Sequence, residues 1–346
     1  MLMIPRRSVL QLTTEELAAE VDKAGGKPFQ AAAIRRWILD RAADDFTKMT
    51  DLAKPVAARL AKSIVPLANE VVSRRTSPDG TVKLLLKLED ANTVETVWMP
   101  GASAATVCVS TQVGCPMACQ FCASGLAGVV RNLQFHEIVE QLVRARGIAP
   151  FGRIVVMGIG EPLLNLENVL SALEIATNAD GMGISARKIT ISTVGFPAKI
   201  REIAKLNKPF TLAVSLHAPN DALRRQLIPT ATKVTIADLL GASNDYFKQT
   251  GREVTFEYVL LHHVNDRAEH ARELARVLRG ARGSVNLIPY NPIPGSPFMR
   301  PPEESVRAFR ETLRRAGVVA TVRWSKGIEA DAACGQLRIH SQAAPT

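Results

Sequence analysis

The sequence predicts an α/β protein: a full or partial (β/α) barrel preceded by a small N-terminal helical accessory domain and a short β-extension. Three observations predict it. From about residue 104, six β-branched runs alternate with six helical stretches, the pattern of parallel strands joined by crossover helices. The first ~65 residues carry helical periodicity instead. The chain's 346 residues exceed one ordinary domain and suit a barrel plus a small module, and 47% hydrophobic residues suffice for a sizeable core.

The elements follow in order. Thr13 to Glu16 has capping-box spacing and opens a helix with apolar Leu17, Ala18 and Val21, which Gly25-Gly26 ends. Pro28 begins a second helix, in which Phe29, Ala33, Ile34, Trp37 and Ile38 fall at helical spacing and read as core. A third covers about 54–64. Two β-rich runs follow, Thr81 to Leu88 and Val94 to Met99, with Asp79-Gly80 as a turn signal. In the alternating region the strands are expected at Thr106–Ser110, Arg153–Met157, Lys188–Ser192, Phe210–Ser215, Val254–Leu261 and Ser284–Ile288. The helices between and after them are expected at His136–Arg146, Leu166–Asn178, Ala198–Leu206, Ile236–Gln249, Ala268–Leu278 and Glu303–Ala316. The expected division is residues 1–90 for the helical domain with its β-linker and 91–346 for the barrel.

No apolar run reaches the ~18 residues of a membrane span. The start, MLMIPRRSVLQL, lacks a long apolar stretch and a small-residue cleavage site, so no signal peptide is read and a cytoplasmic protein is expected. The formal charge of +10 suits a polyanion such as RNA, because each neutralised phosphate releases counterions, and equally suits a merely basic soluble surface. Arg35-Arg36, Arg74-Arg75, Arg187-Lys188 and Arg314-Arg315 read either as phosphate contacts or as solvated pairs. Of the five cysteines, Cys108, Cys115, Cys119 and Cys122 fall within one short stretch and Cys334 lies near the C-terminus. In a reducing compartment this pattern argues for metal binding or redox chemistry over structural disulfides.

Cys115-Pro-Met-Ala-Cys119-Gln-Phe-Cys122 is a C-x3-C-x2-C run directly after the first barrel strand. Three thiolates on one loop can ligate three irons of a [4Fe-4S] cube and leave the fourth open. Structural zinc would need a closed set of four ligands, and Cys108 is poorly placed to be the fourth, inside the preceding strand. The spacing resembles the signature of the radical S-adenosylmethionine (SAM) superfamily. There the open iron chelates the amino and carboxylate groups of SAM, and one electron splits the sulfonium to give a hydrogen-abstracting radical. Gly158-Ile-Gly160-Glu161-Pro162 ends the second strand; alone it is only a βα turn, but after a three-cysteine loop it looks like that superfamily's SAM-binding element.

Further stretches make the resemblance specific. Cys108-Val-Ser-Thr-Gln-Val-Gly-Cys115, Arg131-Asn132-Leu133, Gly158 to Asn165, Ser215-Leu-His-Ala-Pro-Asn220, Asn286-Leu-Ile-Pro-Tyr-Asn291-Pro and Asp331-Ala-Ala-Cys334-Gly-Gln-Leu337 are similar to those of the RlmN/Cfr family. These are radical SAM methyltransferases acting on adenine in ribosomal and transfer RNA. The likeness runs from about residue 10 to 340 and includes the Val94-Glu95-Thr96-Val97 strand.

The resemblance implies roles residue by residue. Cys115, Cys119 and Cys122 resemble the cluster ligands. Cys334 resembles the cysteine that accepts a methyl group from one SAM, Cys108 its resolving partner, and Glu95 the base that removes the adenine proton. Gly160, Glu161, Ser192, Ser215, Leu216, His217 and Asn291 match positions that contact SAM. The expected partners are 23S rRNA, tRNA and an electron donor such as flavodoxin or ferredoxin, and the expected enzyme is a monomer. Carbon 2 of adenine is the expected target; the alternative is carbon 8, as in enzymes that give resistance to ribosome-targeting antibiotics.

The chemistry agrees with these roles. An adenine ring carbon bearing hydrogen is a poor nucleophile, so displacement on SAM should fail there. A methylated Cys334 that loses a hydrogen atom can instead add its carbon to the ring and tether the RNA. A base must then take the ring proton, and a second thiolate must attack sulfur to free the product through a transient disulfide. Each residue also has a plain reading. Cys108 suits a buried strand position, Cys334 an inert or disulfide-bonded thiol, Glu95 a solvated strand face and His217 a satisfied loop. Another radical SAM enzyme would have no need of Cys334, and a zinc-containing RNA-binding module would need no catalysis. The chain departs from the family at Trp324, where a basic residue is expected; an indole there can stack on a base.

Overall fold

The computed structural model describes residues 6–338; the first five residues and the short tail beyond Arg338, included in the expected domains, lie outside the described residues. Three helices open the chain: α1 (Thr14–Lys23), α2 (Gln30–Arg41) and α3 (Lys54–Ser63). The Thr13 side chain accepts from the Glu16 amide and closes the expected capping box, and Gly25 at φ +77° turns the chain out of α1. Their apolar stripes meet through Leu17, Val21, Ile34, Ile38 and Leu60, all buried. Trp37 packs at the edge of this core, donating to Asp51 at 2.8 Å beneath the Arg41 guanidinium. Phe29 corrects an expectation. It precedes the helix, which begins at Gln30, and its ring is 72% exposed.

Next come β1 (Glu70–Thr76), β2 (Val82–Lys87) and β3 (Thr93–Met99), an antiparallel ribbon. The ribbon joins β4 (Thr106–Cys108), after which β5 (Gln112–Gly114) and β6 (Val129–Asn132) form a separate two-stranded ladder. The alternating part follows: α4 (Phe135–Arg146), β7 (Arg153–Val156), α5 (Leu166–Thr177), β8 (Ile189–Thr193), α6 (Pro197–Lys205) and β9 (Thr211–Ser215). It continues with α7 (Asp221–Leu227), α8 (Ile236–Thr250), β10 (Val254–Leu260), α9 (Ala268–Val277), β11 (Gly283–Pro289), α10 (Glu303–Arg315) and β12 (Ala320–Val322).

The sheet order is β1-β2-β3-β4-β7-β8-β9-β10-β11-β12, parallel from β4 onward. Among the described residues no pairing joins its ends, so the barrel is partial. Helices connect the parallel strands, and the C-terminal strand ends and the loops after them line one hollow. The antiparallel ribbon continues this sheet past β4 and stands over one side of the hollow.

Candidate active site

The cysteine loop hangs between β5 and β6 and is pinned from outside. The Gln120 amide donates to the Leu227 carbonyl at 3.0 Å, and the Thr230 hydroxyl donates to the Met117 carbonyl at 2.7 Å. Ala118, at φ +50°, lets the chain bend inside the C-x3-C segment. Burial pushes the Cys115 thiol up to about 12 and raises Cys119 and Cys122 as well. Buried thiols held this way need a cation to become ligands. Behind Cys119 lies Arg224, itself fully buried. Its Nη2 donates to the Val194 and Ser215 carbonyls, while Nε and Nη1 have no protein partner. A positive charge behind Cys119 suits the anionic ligands of an iron–sulfur cube, while among the described residues the three thiols do not converge into a preformed metal site.

The wall beside the cysteines is the turn after β7. Gly160 sits at φ +110°, and a Cβ there would lie 2.7 Å from Thr111 Oγ1 and 2.8 Å from the Gln112 amide nitrogen, so only glycine fits. The Glu161 amide donates to Gln112 Oε1 at 2.8 Å. Its carboxylate accepts from the Val194 amide at 2.8 Å and the Leu163 amide at 3.0 Å. Burial nevertheless pushes this carboxyl up to about 7, so an incoming ammonium group would find a desolvated partner. Ser192, Ser215, His217 and Asn291 line the same cavity of about 410 Å³, a size that suits a nucleoside-bearing ligand. His217 Nδ1 accepts from the Val259 amide at 3.0 Å, and burial lowers the ring to about 3, leaving it a neutral acceptor packed edge-on to Phe121. Leu216 does not reach the cavity. Its side chain packs in the main core and only its amide acts here, donating to the Glu257 carbonyl.

Cys108 ends β4, the strand next to β7, and lines the same cavity, which Cys334 enters from the C-terminal loop. Both are free thiols; burial pushes Cys108 up to about 12, with Cys334 adding to the rise, and pushes Cys334 up to about 11. Cys334 is exposed by surface area, yet that surface is the interior of the open cavity. Its loop is held from two sides. The Ala123 amide donates to Gly335 O at 2.8 Å, Ser124 Oγ to Leu337 O at 2.6 Å, and Asn291 Nδ2 to Cys334 O at 3.0 Å. From the ribbon, Ser77 accepts from the Ala330 amide, Asp79 from the Gly327 amide, and Arg75 pairs with Asp331 at 3.2 Å.

Glu95 is not on the cavity wall. It is fully buried on β3, paired with Lys83 at 2.8 Å and accepting from the Arg338 amide at 2.9 Å. The plain reading of a solvated strand face therefore fails.

Three residues escaped the sequence reading. Arg323, just after the short strand β12, lines the cavity and lowers the thiols of both Cys108 and Cys334 against their burial. Glu257 on β10 is a buried carboxyl pushed up to about 7, hydrogen-bonded by Asn286 at 2.8 Å. Lys83 is the third. Trp324 stands half-exposed at the rim with the Arg300 guanidinium 5.9 Å from its ring centre. The paired basic residues divide: Arg35 donates to the Leu12 carbonyl, Arg75 holds the Cys334 loop, and Arg314 and Arg315 both pair with Glu311.

Comparison with known proteins agrees with this architecture. Residues 109–275 match the radical SAM superfamily and residues 8–65 match the ribosomal RNA large subunit methyltransferase N-terminal domain. The chain is 47% identical over 341 residues to a protein of Rhodopirellula baltica, covering 96% of this chain and 91% of that one. It is 48% identical over 338 residues to one of Gloeobacter violaceus, covering 96% and 95%. Both bear the name "Probable dual-specificity RNA methyltransferase RlmN". A crystal structure of a radical SAM methyltransferase from Sphaerobacter thermophilus superposes with a TM-score of 0.89 at 42% identity, covering 96% of this chain and 99% of that one. With nearly its whole length matched at close to half identity by these relatives, the chain belongs to the RlmN family of radical SAM methyltransferases.

Proposed function

We propose that the chain methylates carbon 2 of adenine in 23S rRNA and tRNA through a methyl group carried on Cys334, consuming two SAM per turnover. The observation that carries the reading is one cavity lined by three loop cysteines together with two further free thiols from distant parts of the chain. The relatives' dual-specificity name supports the RNA substrates.

In this reading Cys115, Cys119 and Cys122 hold a [4Fe-4S] cluster. Gly160, Glu161, Ser192, Ser215, His217, Asn291 and the Leu216 backbone seat SAM beside it. Bound there, cluster and SAM supply the one-electron chemistry that takes a hydrogen atom from the methyl group on Cys334. Glu161 presents a carboxylate to the SAM ammonium, and Arg224 offsets negative charge beneath Cys119. Cys334, its thiol eased toward ionisation by Arg323, accepts the methyl group and then joins its carbon to the base. Glu95 receives the ring proton, which requires segment 331–338 to shift, since Arg338 and Lys83 occupy its carboxylate in the present arrangement. Cys108 attacks the Cys334 sulfur, the sulfur–carbon bond breaks as the Cys108–Cys334 disulfide forms, the freed carbon takes up a proton to become the methyl group of the RNA, and the electron that began the reaction is given back. An electron donor such as flavodoxin or ferredoxin supplies the electron that splits SAM, and reduction returns the disulfide to two thiols.

A monomer in the cytoplasm, divided at residues 1–90 and 91–346, completes the reading. Among the described residues no helix is long and apolar enough to cross a membrane.

The test is anaerobic incubation of cluster-loaded enzyme with rRNA fragments, methyl-labelled SAM and a reductant, followed by nucleoside mass spectrometry. Label on adenine C2 that vanishes in Cys334→Ala supports the proposal. Label on C8 replaces the target atom, and full transfer by Cys334→Ala overturns the carrier role.

A further inference from the structure

The antiparallel ribbon contributes a buried lysine that the reaction scheme above does not use. Lys83 lies on β2, and its ammonium is almost wholly removed from water. Among the described residues it makes two polar contacts. One is the Glu95 carboxylate on the neighbouring strand β3, at 2.8 Å. The other is the main-chain carbonyl of Asp331, at 2.9 Å, three residues before Cys334. The remaining oxygen of Glu95 accepts from the amide of Arg338, on the far side of the same loop.

The two ends of the Cys334 loop thus converge on one ion pair. Burying an ammonium and a carboxylate together is costly unless both are fully hydrogen-bonded, and hydrophobic residues of like volume would hold the ribbon at least as firmly. A salt bridge at this depth is weak evidence for stability alone. Its geometry makes sense when the loop has to be held in one state and released in another.

We propose that Lys83 is a positioning residue that couples the seating of the Cys334 loop to the availability of Glu95; the inference rests on the reading of Glu95 as the base. With the loop seated, Lys83 grips Asp331 O while Lys83 and Arg338 together shut Glu95 away from the cavity. When segment 331–338 lifts to bring the Cys334 carbon to RNA, the Arg338 and Asp331 contacts break together. Lys83 then has only Glu95 as a partner and aims it toward the space the loop has left. The base is exposed only after the carrier has moved, so it does not meet substrate or water before a tethered base is there to receive it.

Lys83→Met keeps the apolar stem and removes both contacts; Lys83→Gln keeps a donor without the charge and serves where methionine impairs folding. Two readouts separate positioning from mere stability. In cofactor-free protein, alkylation of Cys334 by iodoacetamide should quicken several-fold in either variant, with Cys108 unchanged. In loaded enzyme, intact-mass spectra should still show methyl transfer to Cys334. The ratio of protein-tethered RNA to released product should rise about tenfold, a part of what a well-placed base contributes. Unchanged alkylation and an unchanged ratio in a folded variant would overturn the proposal. Glu95→Gln serves as the reference: if it also releases product at the wild-type ratio, the reading of Glu95 fails, while the Cys334 alkylation rates still decide whether Lys83 tethers the loop.

Discussion

Glu161 allows a prediction to be worked in numbers. Its carboxyl rises from an ordinary value of 4.5 to about 7, with burial the main cause and the hydrogen bonds from Val194 and Leu163 opposing it. A carboxyl raised in the folded state stabilises the fold most below pH 4.5, where both states are protonated, and that contribution is lost as pH climbs through about 7. The full loss is about 3 kcal/mol, roughly 2 kcal/mol of it between pH 5 and 7.5. Glu257, also pushed up to about 7 by burial, adds a loss of the same sign. Neutral burial of His217, whose ring falls to about 3, works in the opposite sense and gains roughly 2 kcal/mol over the same interval, so urea unfolding of cofactor-free protein reads the Glu161 effect as the difference between wild type and a variant that lacks the carboxyl. Glu161→Gln, which keeps an acceptor oxygen but cannot ionise, should raise the stability at pH 7.5 relative to that at pH 5 by about 2 kcal/mol over the wild type. The same logic makes SAM bind more tightly as pH rises toward 7, because its ammonium seeks the ionised form. A Glu161→Gln protein with the full wild-type pH dependence would refute the reasoning.

Other outcomes follow from the same cavity. Cys108→Ala should leave RNA covalently attached to the protein, seen as a denaturation-resistant band, because no thiol remains to cut the tether. Gly160→Ala should destabilise the chain by about 2 kcal/mol or more, since its Cβ meets Thr111 Oγ1 and a main-chain nitrogen at positive φ; thermal melting reads the loss and SAM titration the damaged seat. Arg323→Met should slow methylation of Cys334 at fixed pH, because the lost guanidinium no longer favours the thiolate, measured by single-turnover intact mass.

What the sequence disclosed and what it hid have physical causes. The cysteine loop and the glycine turn were legible because their chemistry depends on local spacing, and local spacing is what a sequence displays. The strand–helix alternation was legible because parallel strands buried on both faces are continuously apolar. β1 was not, because all seven of its residues are exposed and it carries Ser73-Arg74-Arg75 where a strand signal would need apolar alternation. α7 has seven residues, too few for a helical period to show, yet it supplies Arg224. β12 has three, so the cavity position of Arg323 went unnoticed beside the more conspicuous Trp324. Phe29 was misplaced because Pro28 marked the turn before the helix instead of its first residue. Glu95 was assigned a role by likeness, but its burial depends on Lys83 in the adjacent strand and Arg338 at the chain's other end, a partnership no local window contains.

The hydrogen bonds from Ala123 and Ser124 to Gly335 and Leu337 have a further consequence. Both donors immediately follow Cys122, so the segments proposed to bind the cluster and to carry the methyl group share a hinge pin. Oxygen damage that unravels the first would slacken the second. An enzyme stripped of iron would lose its grip on the carrier thiol as well as its source of electrons, and restoring the metal would have to rebuild both.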